Sequence, residues 1–141
     1  MRKKFSASTL AFLAPIAFAM AGSGAQAASL DGTQNLICSA IDTVHCVGRE
    51  TCVQGRAQDV NIPQFFRLDF QEMTIRRQFG DGTERTSKID SLRNDGGELI
   101  LQGVEEGLGW SLLVDESSGR LTLTASSDGE AFAVFGVCTT D

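Results

Sequence analysis

The sequence predicts an all-β domain: a small antiparallel meander β-barrel of seven or eight strands, stapled by two disulfides. Three observations predict it. Short runs of alternating apolar and polar residues recur after residue 35, with no long helical period. Gly- and Asp-containing turns arrive about every ten residues, which suits consecutive antiparallel neighbours better than βαβ units. Four cysteines, an even number, all follow an apolar leader. A two-sheet β-sandwich is the alternative arrangement. A sheet of this size must curl, and closing it removes edges that invite aggregation.

The leader comes first. Arg2, Lys3 and Lys4 precede an apolar stretch from Leu10 to Ala21, and Ala25-Gln26-Ala27 is a small-x-small cleavage site. Residues 1–27 are therefore expected to be a signal peptide, cut after Ala27, with a single barrel domain over 28–141. No cysteine at the cut site points to a lipid anchor, and no Arg-Arg pair points to a twin-arginine route. The destination is the periplasm or the medium.

Asn35 to Val47 reads as a long strand because Ile37, Ile41, Thr43 and Val44 are β-branched. A helical start capped by Asp31 or Thr33 is the other option. In the strand reading, Cys38, Ala40, Val44 and Cys46 share one face. Cys52 to Ala57 returns as its hairpin partner, and Pro63 sits in a connection where a missing N–H does no harm. Phe66, Leu68 and Phe70 then mark a face, followed by Met73, Ile75 and Phe79, and by Ile89 and Leu92 in Ser87–Arg93. Leu99–Val104 and Leu108–Val114 are apolar enough to be covered on both faces. Leu121 and Leu123 point inward in the next run. The last, Ala131–Cys138, sets Phe132, Val134 and Gly136 against Phe135 and Val137. Gly80-Asp81-Gly82, Asn94-Asp95-Gly96-Gly97, Ser117-Ser118-Gly119 and Ser127-Asp128-Gly129 supply the intervening turns.

Strand placement also predicts the cysteine pairing. Cys46 and Cys52 flank a turn and face each other across a hairpin, which leaves Cys38, near the start of the fold, with Cys138, near its end. Such a bridge joins first and last strands.

Charge excludes some functions. Twelve basic residues less the three in the leader leave nine against eighteen acidic ones, a formal charge of −9 with Lys88 the one lysine. That surface repels nucleic acid and anionic lipid, and it steers a basic partner inward. No stretch after the leader approaches the roughly 18 apolar residues of a membrane span.

Catalytic, cofactor and metal sites are not indicated. His45 is the single histidine, and its neighbour Cys46 points to the opposite face of a strand. No serine lies in Gly-x-Ser-x-Gly, no Cys-x-x-Cys occurs, and no calcium-loop pattern surrounds Asp115-Glu116. Glu105 and Glu106, in a Gly-flanked turn, read as solvated. Arg76-Arg77 and Arg67 read as partners for nearby carboxylates. Trp110, the sole tryptophan, is expected as a core anchor or as a ring lining the barrel mouth. Phe65-Phe66 are adjacent, so one ring must face outward, which makes Phe65 a candidate contact residue.

Leu99–Gly103, Trp110-Ser111-Leu112, Thr122–Ala125 and Phe135–Thr139 resemble segments of small exported proteins of proteobacteria that carry no assigned activity. A fainter resemblance is to the periplasmic lysozyme-inhibitor barrels. It implies that Ser126, Ser127 and Asp128, before the last strand, form a contact loop. This chain lacks the basic residue and tyrosine that would follow its glycine. The expected function is an exported non-catalytic binding module of the bacterial periplasm, whose partner residue order does not identify; a basic envelope protein and a small apolar ligand are the candidates. The alternatives are a lipocalin-like barrel holding a small apolar ligand and a lysozyme-inhibitor-like protein.

Overall fold

Alternation at period two becomes a single curled antiparallel sheet. A computed structural model describes residues 29–48, 51–60 and 62–141, so the predicted leader and its cleavage site lie outside the described residues. The strands are β1 (Leu36–Val47), β2 (Thr51–Arg56), β3 (Phe65–Asp69), β4 (Thr74–Gln78) and β5 (Glu84–Lys88). They continue with β6 (Ser91–Asp95), β7 (Glu98–Glu105), β8 (Leu108–Asp115), β9 (Arg120–Ser127) and β10 (Glu130–Thr140). One turn of 3-10 helix, Ala57–Val60, follows β2. The sheet runs β5-β4-β3-β1-β10-β9-β8-β7-β6, with β2 paired to the far half of β1.

The two ends of that path meet through the chain itself. β5 and β6 are joined only by Ile89-Asp90, and they run in the same direction between β4 and β7. The Ile89 N–H donates to the Met73 carbonyl before β4 (2.8 Å), and the Asp90 N–H donates to the Gln102 carbonyl on β7 (2.8 Å). One continuous run therefore changes partner at this point and closes the sheet into a barrel. Counted around the ring, β5 and β6 share one of eight positions, in meander order, and β2 is an extra strand on the rim. Beyond the switch, β5 and β7 form no ladder, so the barrel is closed along only part of that seam. The strand option for Asn35–Val47 is the one adopted.

One residue overturns the expected face pattern of β1. Leu36, Cys38 and Ala40 are buried, but the register jumps from Ala40 opposite Gly136 to Asp42 opposite Phe135. Ile41 is the extra residue of a β-bulge, which inverts the alternation beyond it. Thr43 is consequently buried, and its hydroxyl donates to the Arg56 carbonyl (3.2 Å). Val44 and Cys46 pass to the outer face, so Cys38 and Cys46 do not share one. The bulge presses β1 against β10: a Cβ at Gly136 would collide with the Ser39 carbonyl, which accounts for glycine there. A second expectation also fails. β7 and β8 bury one face only, through Leu99, Leu101, Leu112 and Val114, while Val104 on the other face is 65% exposed.

Both predicted disulfides are present, Cys38–Cys138 and Cys46–Cys52. Each joins residues directly opposite in a ladder. Taking the β1–β2 and β9–β10 turns as the upper end, the lower end is plugged. Leu30 is buried there, Asn35 accepts from the Phe70 N–H (3.0 Å), and the Asp141 N–H donates to the Asn35 carbonyl (2.9 Å).

The β8–β9 turn at the lower end is tied by Asp115. Its carboxylate accepts from the Ser117 hydroxyl and from the Ser118 hydroxyl and N–H, each at 2.7 Å. These bonds, the Ser117 hydroxyl first, hold its pKa down at about 2 against an ordinary 3.8. A depressed carboxyl stabilises the fold fully above its unfolded value and loses that contribution as pH falls through the folded one. Melting temperatures from about pH 5 to about pH 2 should therefore fall more steeply for the wild type than for Asp115→Asn. The carboxylate is exposed, so the difference should be small; parallel curves would remove it from the acid response.

Candidate functional site

The inward positions divide the barrel in two. In the lower half Leu36, Leu68, Leu101, Leu112 and Val134 are at most 1% exposed and fill the interior. In the upper half the inward residues do not meet, and a cavity of about 290 Å³ remains. Phe66, Ile75, Trp110, Leu123 and Phe132 form its apolar wall, and Val60 and Ile62 lie at its edge.

Three polar side chains cross this wall at the open seam. Arg77 on β4 is ion-paired with Glu105 on β7, and its Nη2 donates to the Ser87 hydroxyl on β5 (2.8 Å). Ser87 in turn donates to Glu105. The three side chains do across the seam what backbone pairing does elsewhere. Ser87 is 5% exposed and its oxygen is engaged on both sides, which suits a structural hydroxyl rather than a nucleophile.

Neither member of that ion pair was placed inside by the sequence. The alternation Ile75-x-Arg77-x-Phe79 put Arg77 in phase with two inward residues, and Leu99, Leu101 and Gly103 put Glu105 in phase likewise. Charge argued the other way for both. Glu105, expected as solvated, is turned inward with its side chain 28% exposed. The expectation that the arginines pair with carboxylates matches the structure, with Arg76 against Asp69 (3.5 Å) and Arg67 against Asp141.

Trp110 is 9% exposed and lines the cavity, so it is at once a packed residue and part of the wall. Its ring lies over Gly103, directly opposite on β7. A Cβ there would stand 2.7 Å from both Trp110 Cε2 and the Lys88 carbonyl oxygen. The Trp110 Nε1 and the Arg77 Nε are buried with no hydrogen-bond partner among the described residues.

The other predicted contact residues lie elsewhere. Phe65 is 55% exposed on the outer face, opposite Ser39, which in turn lies opposite Val137. It borders a broad open groove of about 1060 Å³ along β3 and β4. All three arginines beside that groove, Arg67, Arg76 and Arg77, already hold carboxylates. Ser126, Ser127 and Asp128 are exposed on the upper rim. Pairing continues to Ser127 opposite Glu130, so they form a tight hairpin rather than an extended loop. His45 stacks on Phe132 (4.2 Å between centroids, 8° between planes), with Nε2 3.5 Å from Glu130. Among the described residues, no group of three or more His, Cys, Asp or Glu side chains is placed to hold a metal ion.

Fold and site together define a small disulfide-linked β-barrel, plugged below and hollow above. No family model, curated protein or solved structure matches the chain.

Proposed function

We propose that this is an exported, non-catalytic binding protein whose ligand is a small molecule held in the upper half of the barrel. The cavity of about 290 Å³ carries the reading. It lies close to the lower bound of roughly 300 Å³ for small-molecule sites, and like them it combines an apolar wall with a few convergent polar groups. A core of this kind ordinarily closes on itself, because voids forfeit packing energy. Export is supported by the leader pattern at residues 1–27 and by two disulfides, which form and persist in oxidising compartments. No helix among the described residues is long and apolar enough to cross a membrane.

The test is native mass spectrometry of the protein exported by its own leader and purified with disulfides intact. A co-purified small molecule at one per chain is the expected result, and its removal should shift the emission of Trp110. An empty barrel, with emission unmoved by added aromatic or aliphatic molecules, would count against a lumen ligand. That outcome transfers weight to a second reading, a basic envelope protein docked on the acidic surface. Phe65 and Val137, exposed on either side of Ser39, favour that reading.

A further inference from the structure

We infer that the outer face of β3, β1, β10 and β9 is a self-association surface, on which a second copy of this chain docks about a two-fold axis. The lumen plays no part in it. Exposed apolar surface is the first observation. Among the described residues, Phe65, Ile41, Phe135 and Val137 lie together on this face, each about half exposed. Phe65 is opposite Ser39, Ser39 is opposite Val137, and Phe135 stands beside the bulge at Ile41. Apolar residues exposed singly are ordinary, whereas a contiguous group with a polar border marks an interaction site.

Charge says what covers it. After the leader the chain carries −9, so like molecules repel over most of their surface. This face is the exception. Arg67 is held by Asp141, and Asp69 by Arg76 on the neighbouring β4 (3.5 Å). Two exposed charges remain, Asp42 and Arg120, and among the described residues neither is in an ion pair. Arg56, opposite Asp42 on β2, is not paired with it either.

These two charges flank the apolar ridge of β10 from opposite sides. Asp42 on β1 is opposite Phe135, and Arg120 on β9 is opposite Val137. A two-fold axis that lies in the interface and crosses β10 between Phe135 and Val137 sets Arg120 of each copy against Asp42 of the other. Two equivalent ion pairs then border an apolar centre, the self-complementarity that an isologous contact requires. Barrel walls are convex, so the contact stays below the roughly 800 Å² per partner of a tight complex, and the dimer is a weak one.

Sedimentation equilibrium of the exported, disulfide-intact protein should show a reversible monomer–dimer equilibrium between about 1 μM and about 1 mM. Asp42→Arg and Arg120→Asp each set like charges together at both contacts, and each should weaken the dimer at least about tenfold. An equimolar mixture of the two variants restores opposite charges at both contacts and should dimerise as the wild type does. Phe135→Ser, which leaves the charges alone, should also weaken it, whereas Val104→Ser, exposed on β7 outside this face, should not. A wild type that stays monomeric at about 1 mM overturns the proposal and leaves the face to a different protein. A dimer that Phe135→Ser and both charge reversals leave intact, or folded variants whose mixture stays monomeric, overturns it as well.

Discussion

Replacing Cys38 and Cys138 together by alanine is expected to lower the stability of the fold by about 4–5 kcal/mol. The bridge closes a loop with a sequence separation of 100, and the chain-entropy model assigns a loop of that length nearly this much. A domain of this size has about 5–15 kcal/mol in all, so the variant should be marginal at best. Packing adds to the loss, since Cys38 and Cys138 are 1% and 7% exposed within the core. Removing Cys46–Cys52 should matter less, about 2 kcal/mol, because it spans a separation of 6 and lies outside the core, with Cys46 half-buried and Cys52 exposed. Urea unfolding of the two double variants measures this directly. Equal losses would mean that the long bridge does not act through the unfolded chain.

Gly103→Ala should cost about 2–3 kcal/mol and disturb the cavity as well. The added methyl meets two things that do not yield easily. One is the Trp110 ring, held opposite Gly103 in the β7–β8 ladder; the other is the Lys88 carbonyl, immediately before the strand changes partner at Ile89-Asp90. Moving the backbone opens the seam, whereas moving the ring pushes it into the cavity. Either route should change the Trp110 emission and weaken any lumen ligand. A variant as stable as the wild type, with the same emission, would show that the ring does not rest on Gly103.

Several of these features were legible from residue order. Period-two runs located the core strands, Gly and Asp located the turns, and the Cys46–Cys52 hairpin located one disulfide directly and, by leaving Cys38 with Cys138, the other. The face of Phe132, Val134 and Gly136 followed from alternation alone. Local pattern failed where one residue changed the phase. Ile41 carries no mark that distinguishes a bulge residue from a paired one, yet it inverted every position after it in β1. Ser87–Arg93 reads as one strand, and only the neighbours on each side reveal that its halves serve different partners.

The sequence by itself determined the class of fold, its punctuation and its covalent frame, because these depend on contacts whose periodicity is written locally. The tertiary structure decided the site. A cavity is the volume left when inward side chains from strands distant in the chain fail to meet, and no local pattern measures that volume. Arg77 and Glu105 show the same division: their phase was readable, but only the seam between β4, β5 and β7 brings them together and lets two charges face inward as a pair.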